Sequence, residues 1–466
     1  GHAPERHDAR VADIQHQIGH WRASGARGLL CTSRPRWMTM SSRIAHYKRP
    51  ENAIRIELND ILDIDIARGI ARVEPRVTVG RLLDRLLPLG WTLPVVPELE
   101  DLTVGGLFLG YGVEVSSHRH GLFNDNVLAC DVVLGDGRMV RASATERADL
   151  FRALPFSLGA LGFVVALELR IVPAAPYVRL AYIPAHGFAE TCRIFADEAC
   201  RADAADFVEA IVFSPTESVV IAGRFDARAE AGRVHRANAW HAPWFAARSR
   251  KFVAAGGGEE WVPLDHFYRR HVRGIYWEAG LIVPFGNHPL FRFLLGWTMP
   301  PKIAFLKLTQ GERIKRFYDE KHIVQDALVP LRELEATLAF LDADIEGYPL
   351  WLCPMRLDRT TPQGFVGPGL AADSSEMYVD VGVFVVPGPV RRGEGYSALD
   401  AVARLGRFLI AHRGYQAPYA VSMLDRDGFR RMFDCRLYDA VRERYGAAGA
   451  VMDVFDKLRR GAADGG

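Results

Sequence analysis

The chain has 466 residues, 49% hydrophobic and 24% charged, with 58 basic against 56 acidic residues and a formal net charge of +2. That balance excludes a bulk electrostatic attraction to nucleic acid, and the length calls for two or three subdomains rather than one core. The six cysteines are scattered, with no C-x-x-C pair and no Cys/His zinc spacing, so free thiols in a reducing compartment and no metal site are expected.

The opening "GHAPERHDAR" has no apolar core, so it reads neither as a signal peptide nor as a membrane span. Gly-His without an initiator Met looks like a protease scar, and a natural segment is expected to have been removed there. In "RVADIQHQIGHWRASGARG", Val11, Ile14, Ile18 and Trp21 share one helical face. Residues 54–75 read as strands and turns. "TVGRLLDRLLPLG" predicts a helix with Thr78 as N-cap, leucines on one face and Gly90 past its end. "ACDVVLGDGRMVRAS" predicts a hairpin about Gly135-Asp136-Gly137, and "LGALGFVVALELRIVP" a strand after a glycine turn. Pro173 and Pro176 mark a boundary.

Beyond it, aromatic residues, His and Arg crowd into 240–300, "EMYVDVGVFVVPG" reads as a strand pair, and 426–459 reads as helices. No internal repeat is visible. The fold class expected is α+β, divided as 1–176, a substrate or cap domain over 177–410, and a C-terminal segment, 411–466.

The densest glycine stretch is "PELEDLTVGGLFLGYGVEVSSHRHGLFNDN", residues 97–126. Neither the P-loop pattern nor G-x-G-x-x-G between a strand and a helix occurs there. Two readings stay open: backbone N–H groups cradling a pyrophosphate as an anion nest, or tight turns made for packing.

The string "RPRW…VEPRVTVG…GWTLPVVPELEDLTVGGL" and its continuation to "GLF" resemble the FAD domain of the vanillyl-alcohol-oxidase (PCMH-type) flavoenzymes, and within them the delta-24-sterol reductases. The likeness continues through "PLDHFYRRHVR", "IVPFGNHPLFRFLLGW", "PPKIAFLKLTQGE" and "YPLWLCP", nearly the whole chain. It implies a PCMH-type FAD-binding domain of two α+β subdomains with an α+β substrate domain. It implies that Thr103, Val104, Gly105 and Gly106 meet the FAD pyrophosphate, with Gly110, Gly112, Glu114, Ser116, Ser117 and Gly121 along the cofactor's path. Gly159, Gly162 and Val164 are then the strand beside the flavin, and "CTSRPRW" offers Thr32, Ser33 and Arg34 as the first pyrophosphate loop. No histidine stands in that loop, so the FAD is expected to be non-covalent.

The family's reaction, saturation of an isolated sterol side-chain alkene with NADPH reducing the FAD, needs a proton on C24 and hydride from flavin N5 at C25. Such an alkene has no carbonyl to polarise it, so an acid in a dry pocket is required. The candidates are Glu278, Tyr276, His266, His271 and Lys307. Glu278 reads either as an acid kept protonated by apolar neighbours or as a carboxylate paired with Arg270 or Arg273. Gln310 and Tyr419 are weaker candidates for contact. "PLFRFLLGW", 289–297, reads either as a segment that touches a membrane surface or as a buried helix of the cap. The protein is expected to be cytoplasmic, peripheral at a membrane, with a sterol or isoprenoid lipid as substrate and no nucleic-acid partner. The competing function is an oxidase or dehydrogenase of the same fold acting on an alcohol or sugar.

Overall fold

The computed structural model describes residues 3–35, 47–97, 99–300, 321–358, 364–365 and 375–459. The first helix, α1 (Ala3–Ala23), buries the four residues of its apolar stripe, Val11, Ile14, Ile18 and Trp21, on strands of the N-terminal half. Two-residue strands β1 (Cys31–Thr32) and β2 (Ala53–Ile54) pair in parallel; β3 (Ile61–Asp65) and β4 (Ile70–Val73) follow. Helix α2 (Val79–Leu86) starts where Thr78 Oγ1 accepts the Arg81 N–H, and the chain leaves through left-handed Gly90. Next come β5 (Trp91–Thr92), α3 (Val104–Leu109), α4 (Ser117–His120), β6 (Val127–Val133), β7 (Met139–Ser143), α5 (Ala148–Ala153), β8 (Phe163–Arg170) and β9 (Val172–Pro173). Strands β3-β4-β8-β6-β7 form an antiparallel sheet, with the expected β6–β7 hairpin at its edge.

The second sheet has eight strands, all antiparallel: β10 (Tyr177–Ala185), β11 (Phe207–Ser214), β12 (Glu217–Asp226), β13 (Gly258–Pro263), β14 (Ile323–Pro330), β15 (Leu350–Asp358), β16 (Ser375–Val385) and β17 (Tyr415–Gln416). Their order is β13-β10-β12-β11-β15-β16-β14-β17. Helices α6 (Phe188–Cys200) and α7 (Phe245–Ala254) complete a β-α-β-β-α-β run from β10 to β13. The same run recurs from β14 to β17 with helices Leu334–Asp344 and Ala398–Ala411. Each half has the strand order 4-1-3-2 of a split βαβ unit, and the halves join edge to edge through Ala210–Leu352, Ile211–Trp351 and Val212–Leu350. The sequence shows no repeat, but the topology is duplicated. The expected strand pair in 376–388 is one eleven-residue strand, because Gly382, instead of turning, stays in the ladder opposite Asp326 and Trp351.

Side chains alternate across a strand, so the register assigns each residue to a face. One face, bearing Ala327 and Gln416, is covered by α6, Leu334–Asp344 and Ala398–Ala411. The other carries Glu209, Trp351, Cys353, Met355, Asp380, Asp326 and Tyr415. Helix α7 packs on this second face, its Phe252 stacked on Tyr182 at 3.9 Å, which is where the two units differ.

Candidate active site

The polar face of the eight-stranded sheet meets the glycine-rich segment of the N-terminal half. Tyr111 crosses to it, its hydroxyl 2.9 Å from Tyr415 Oη and 3.2 Å from Met355 Sδ. Burial pushes the Tyr111 phenol well above its ordinary value, and the proximity of Tyr415, Asp380 and Asp326 adds to the shift. Three residues on, Glu114 meets Arg270, Oε1 to Nη2 at 3.2 Å, and Arg270 Nε donates to Glu209 Oε1 at 2.8 Å. Glu209 Oε2 accepts Trp351 Nε1–H at 2.8 Å and lies 3.1 Å from His271 Nε2, with Tyr276 stacked on the His271 ring at 4.2 Å.

These groups are buried. Burial alone would raise the Glu209 carboxyl, but Arg270 and His271 outweigh it and hold it well below the usual range. The network draws on β11, β15, the 267–277 segment and the 111–115 loop, so it ties the two halves of the molecule together. His271 and Tyr276, read from sequence as acids, are core members of that tie. Glu114, read as a cofactor contact, spends Oε1 on Arg270 and on the Val115 N–H.

Glu278 pairs with neither Arg270 nor Arg273. His322 is its partner, Nε2 to Oε1 at 2.8 Å, and the Glu278 side chain keeps 22% of its surface in solvent. Arg273 instead donates to the carbonyls of Asn238, Gly296 and Met299. Trp277 donates to Phe384 O, so the Glu278–His322 pair sits at the edge of the same polar face. His266 Nδ1 accepts the Asn238 N–H at the periphery. Lys307 and Gln310 lie outside the described residues. Tyr419 is half-buried, and it is Tyr415 that meets the glycine-rich loop.

The expected anion nest takes another form. The Val104 N–H bonds Val77 O and the Gly105 N–H bonds Pro75 O, both at 2.9 Å, while the Gly106 N–H is capped by Thr103 Oγ1. These three amides are spent inside the protein. A Cβ on Gly105 would stand 2.6 Å from Pro75 Cβ, one on Gly112 2.7 Å from Phe123 Cβ, and one on Gly162 2.9 Å from Val133 O. A Cβ on Gly110 would meet Gly106 O at 2.6 Å, and Gly121 turns at φ +69° beside Asp125. The packing reading therefore accounts for these glycines. Ser116 Oγ–H donates to Pro94 O and Ser117 Oγ accepts the Glu114 N–H, so both hydroxyls also serve the loop. Val164 lies in β8 opposite Val132, and Gly159 turns the preceding loop at φ +73°.

Positive charge gathers instead around the first loop. Lys48 Nζ donates to Thr32 Oγ1 at 2.9 Å and to Arg34 O at 2.8 Å, with Ser33 and Arg34 exposed beside it. From the C-terminal helices, Lys457 Nζ donates to Leu158 O at 3.0 Å and Arg442 to Ala160 O and Val451 O. Burial lowers Lys457 to about 7, helped by Arg442 and Lys48, and burial lowers Lys48 to about 8, helped by Arg34. These cations repel one another and are short of solvent, so an anion beside the first loop would be complementary to them, although the nitrogens named already donate to protein oxygens. Lys48, Lys457 and Arg442 lie far apart in the chain and carry no motif, so their gathering here was not legible in the sequence.

Residues 9–143 match the family model described as an FAD binding domain. Over 461 residues the chain is 42% identical to a Delta(24)-sterol reductase of Homo sapiens, covering 99% of this chain and 88% of that protein. A Delta(24)-sterol reductase of Pisum sativum is 38% identical over 483 residues, 98% of this chain and 85% of its own length. A carbohydrate oxidase of Microdochium nivale is 36% identical over only 115 residues, 25% of this chain and 23% of that protein. The fold and the match define an FAD-dependent oxidoreductase of α+β architecture. The chain belongs to the Delta(24)-sterol reductase family.

Proposed function

We propose that this enzyme saturates the C24–C25 double bond of a sterol side chain, with NADPH as electron donor. The observation that carries the reading is the extent of the sterol-reductase match, which runs through the eight-stranded sheet as well as the FAD domain. The oxidase likeness stops at a quarter of the chain. FAD, when bound non-covalently, supplies the hydride chemistry. Thr32, Ser33, Arg34, Lys48 and Lys457 hold its diphosphate.

The protein's own task is to protonate an unpolarised alkene and to tolerate the positive charge that follows. On the polar face Asp326 and Asp380 are buried, while Glu114 and Glu209 are offset by Arg270. The proton donor's place falls to Glu278, whose carboxylate lies 2.8 Å from His322 Nε2 at the edge of the polar face. The enzyme works from the cytoplasmic side, peripheral to a membrane, because its substrate is a lipid.

The test is anaerobic: NADPH is added to the FAD-loaded protein at 450 nm, then a sterol carrying the C24–C25 alkene. Bleaching followed by sterol-dependent reoxidation is expected. Bleaching reversed only by a non-sterol isoprenoid alkene would move the substrate class, and no bleaching by NADPH would overturn the reductase in favour of an oxidase of the same fold. Glu278→Gln is expected to slow the reoxidation step by about a hundredfold or more while bleaching persists.

A further inference from the structure

Of the thirteen large hydrophobic side chains exposed among the described residues, eight gather in one region: Trp240, Leu281, Phe285, Leu290, Phe293, Leu294, Leu295 and Trp297. Their centre is a short helix, Pro289–Leu295, which buries no residue of its own. The cap-core expectation for 289–297 therefore fails, and Phe293 and Trp297 stand 67% and 68% exposed. Scattered exposed leucines need no explanation, but a contiguous aromatic and leucine surface does.

The region is held rather than loose. Arg292 gives its Nε–H to Asn287 O and its Nη1 to His241 O, so the helix's one charge is turned onto carbonyls. Arg273 does the same for Asn238, Gly296 and Met299. Trp240 leans on Phe293 with ring centroids 6.3 Å apart. Two arginines thus fasten the 238–241 turn to the 287–299 segment and present the apolar surface as a unit.

Charge selects the occupant. From 231 to 258 the chain has Arg233, Arg236, Arg248, Arg250 and Lys251 and no carboxylate, and from 279 to 300 it has Arg292 and no carboxylate. Arg233, Arg248 and Arg250 pair with Glu230, Glu260 and Glu217, whereas Arg236 is exposed with no carboxylate partner among the described residues. His241 and His288 are exposed on the same stretches. A second copy docking through the same face would bring like charges together, whereas anionic headgroups complement them. Tryptophans beside leucines and a basic rim are the composition of a side that lies in a lipid interface.

We propose that Trp240, Leu281, Phe285 and the Pro289–Trp297 segment form a monotopic docking surface for an anionic lipid bilayer. The proposal rests on the reductase reading only in making the sterol the lipid that enters there. No described helix is long and apolar enough to span a membrane, and docking of this kind needs none.

The test is co-flotation of the FAD-loaded protein with vesicles of phosphatidylcholine alone and with about a third phosphatidylserine, in low and high salt. Binding to the anionic vesicles, weakened by salt, is expected, and F293D/W297D is expected to lower it at least tenfold. Both positions are solvent-facing, so thermal unfolding of the variant should match the parent. Absence of binding by the parent, or equal binding by the variant, would overturn the proposal. So would a concentration-dependent dimer, seen by size-exclusion chromatography, that the variant loses without any vesicle binding by the parent. Turnover of sterol carried on cyclodextrin separates the two readings: it persists in F293D/W297D if the surface serves docking, and its absence in the parent, with vesicle binding intact, overturns the reductase alone.

Discussion

Arg270 stands between Glu114 and Glu209 with almost no water in reach, and that position sets what each substitution there must do. Arg270→Met takes the ion-pair partner from buried Glu114 and leaves Glu209 with only His271 and Trp351, and a loss of about 3–5 kcal/mol is expected in urea unfolding. Glu209 has its folded pKa below its unfolded one, so the stability it lends is present above the usual carboxyl range of about 4.3 and lost as pH falls. Urea midpoints measured from about pH 5 downward should fall less steeply in Glu209→Gln than in the parent. The lysines run the other way. Lys457 and Lys48, lowered to about 7 and about 8, lose charge as pH rises through those values. A bound diphosphate favours the charged forms, so FAD binding is expected to take up protons and to weaken from pH 7 to 9. Calorimetry in buffers of different ionisation enthalpy reads the uptake, and Lys457→Met should cost on the order of tenfold in affinity.

Short-range signals placed several elements. The stripe Val11, Ile14, Ile18 and Trp21, the Thr78 cap with Gly90 beyond it, and the hairpin about Gly135-Asp136-Gly137 all follow from neighbours in the chain, and all are present. The residues 103–106 were legible as special but not for what. Gly105 lies within α3, where a side chain is ordinarily welcome, and what forbids one is Pro75, thirty residues upstream. Gly105→Ala is therefore expected to cost roughly 1–3 kcal/mol of stability through overpacking. Thermal unfolding and flavin content measured together check this, since loss of FAD at unchanged stability would return the glycine to the cofactor.

At the scale of the molecule, the C-terminal residues close the structure on its beginning. The Leu30 N–H bonds Ala450 O, and Lys457 reaches the 158–162 loop beside β1. A chain ending at Gly446 is expected to melt lower and to lose its response to cofactor. Added FAD should raise the melting temperature of the full chain, as a ligand that binds only the folded state must, and leave the shortened one unmoved. The same scale explains why the duplicated β-α-β-β-α-β topology was invisible: strand order rests on hydrogen bonds between segments as distant as Tyr177 and Pro263 or Ala327 and Gln416, and two units can share it with no shared side chains.

The amino-acid sequence by itself determined the α+β class, the family and the local elements, because periodicity, caps, turn residues and long colinear strings are properties of neighbouring positions. Only the tertiary structure decided which charged groups meet. Glu114 with Arg270, Glu278 with His322, and Lys48 close enough to Lys457 to shift its charge are pairings set by strand register and by packing between the two sheets. Burial then turns those pairings into chemistry, since a charge removed from water must answer to whatever the fold places beside it.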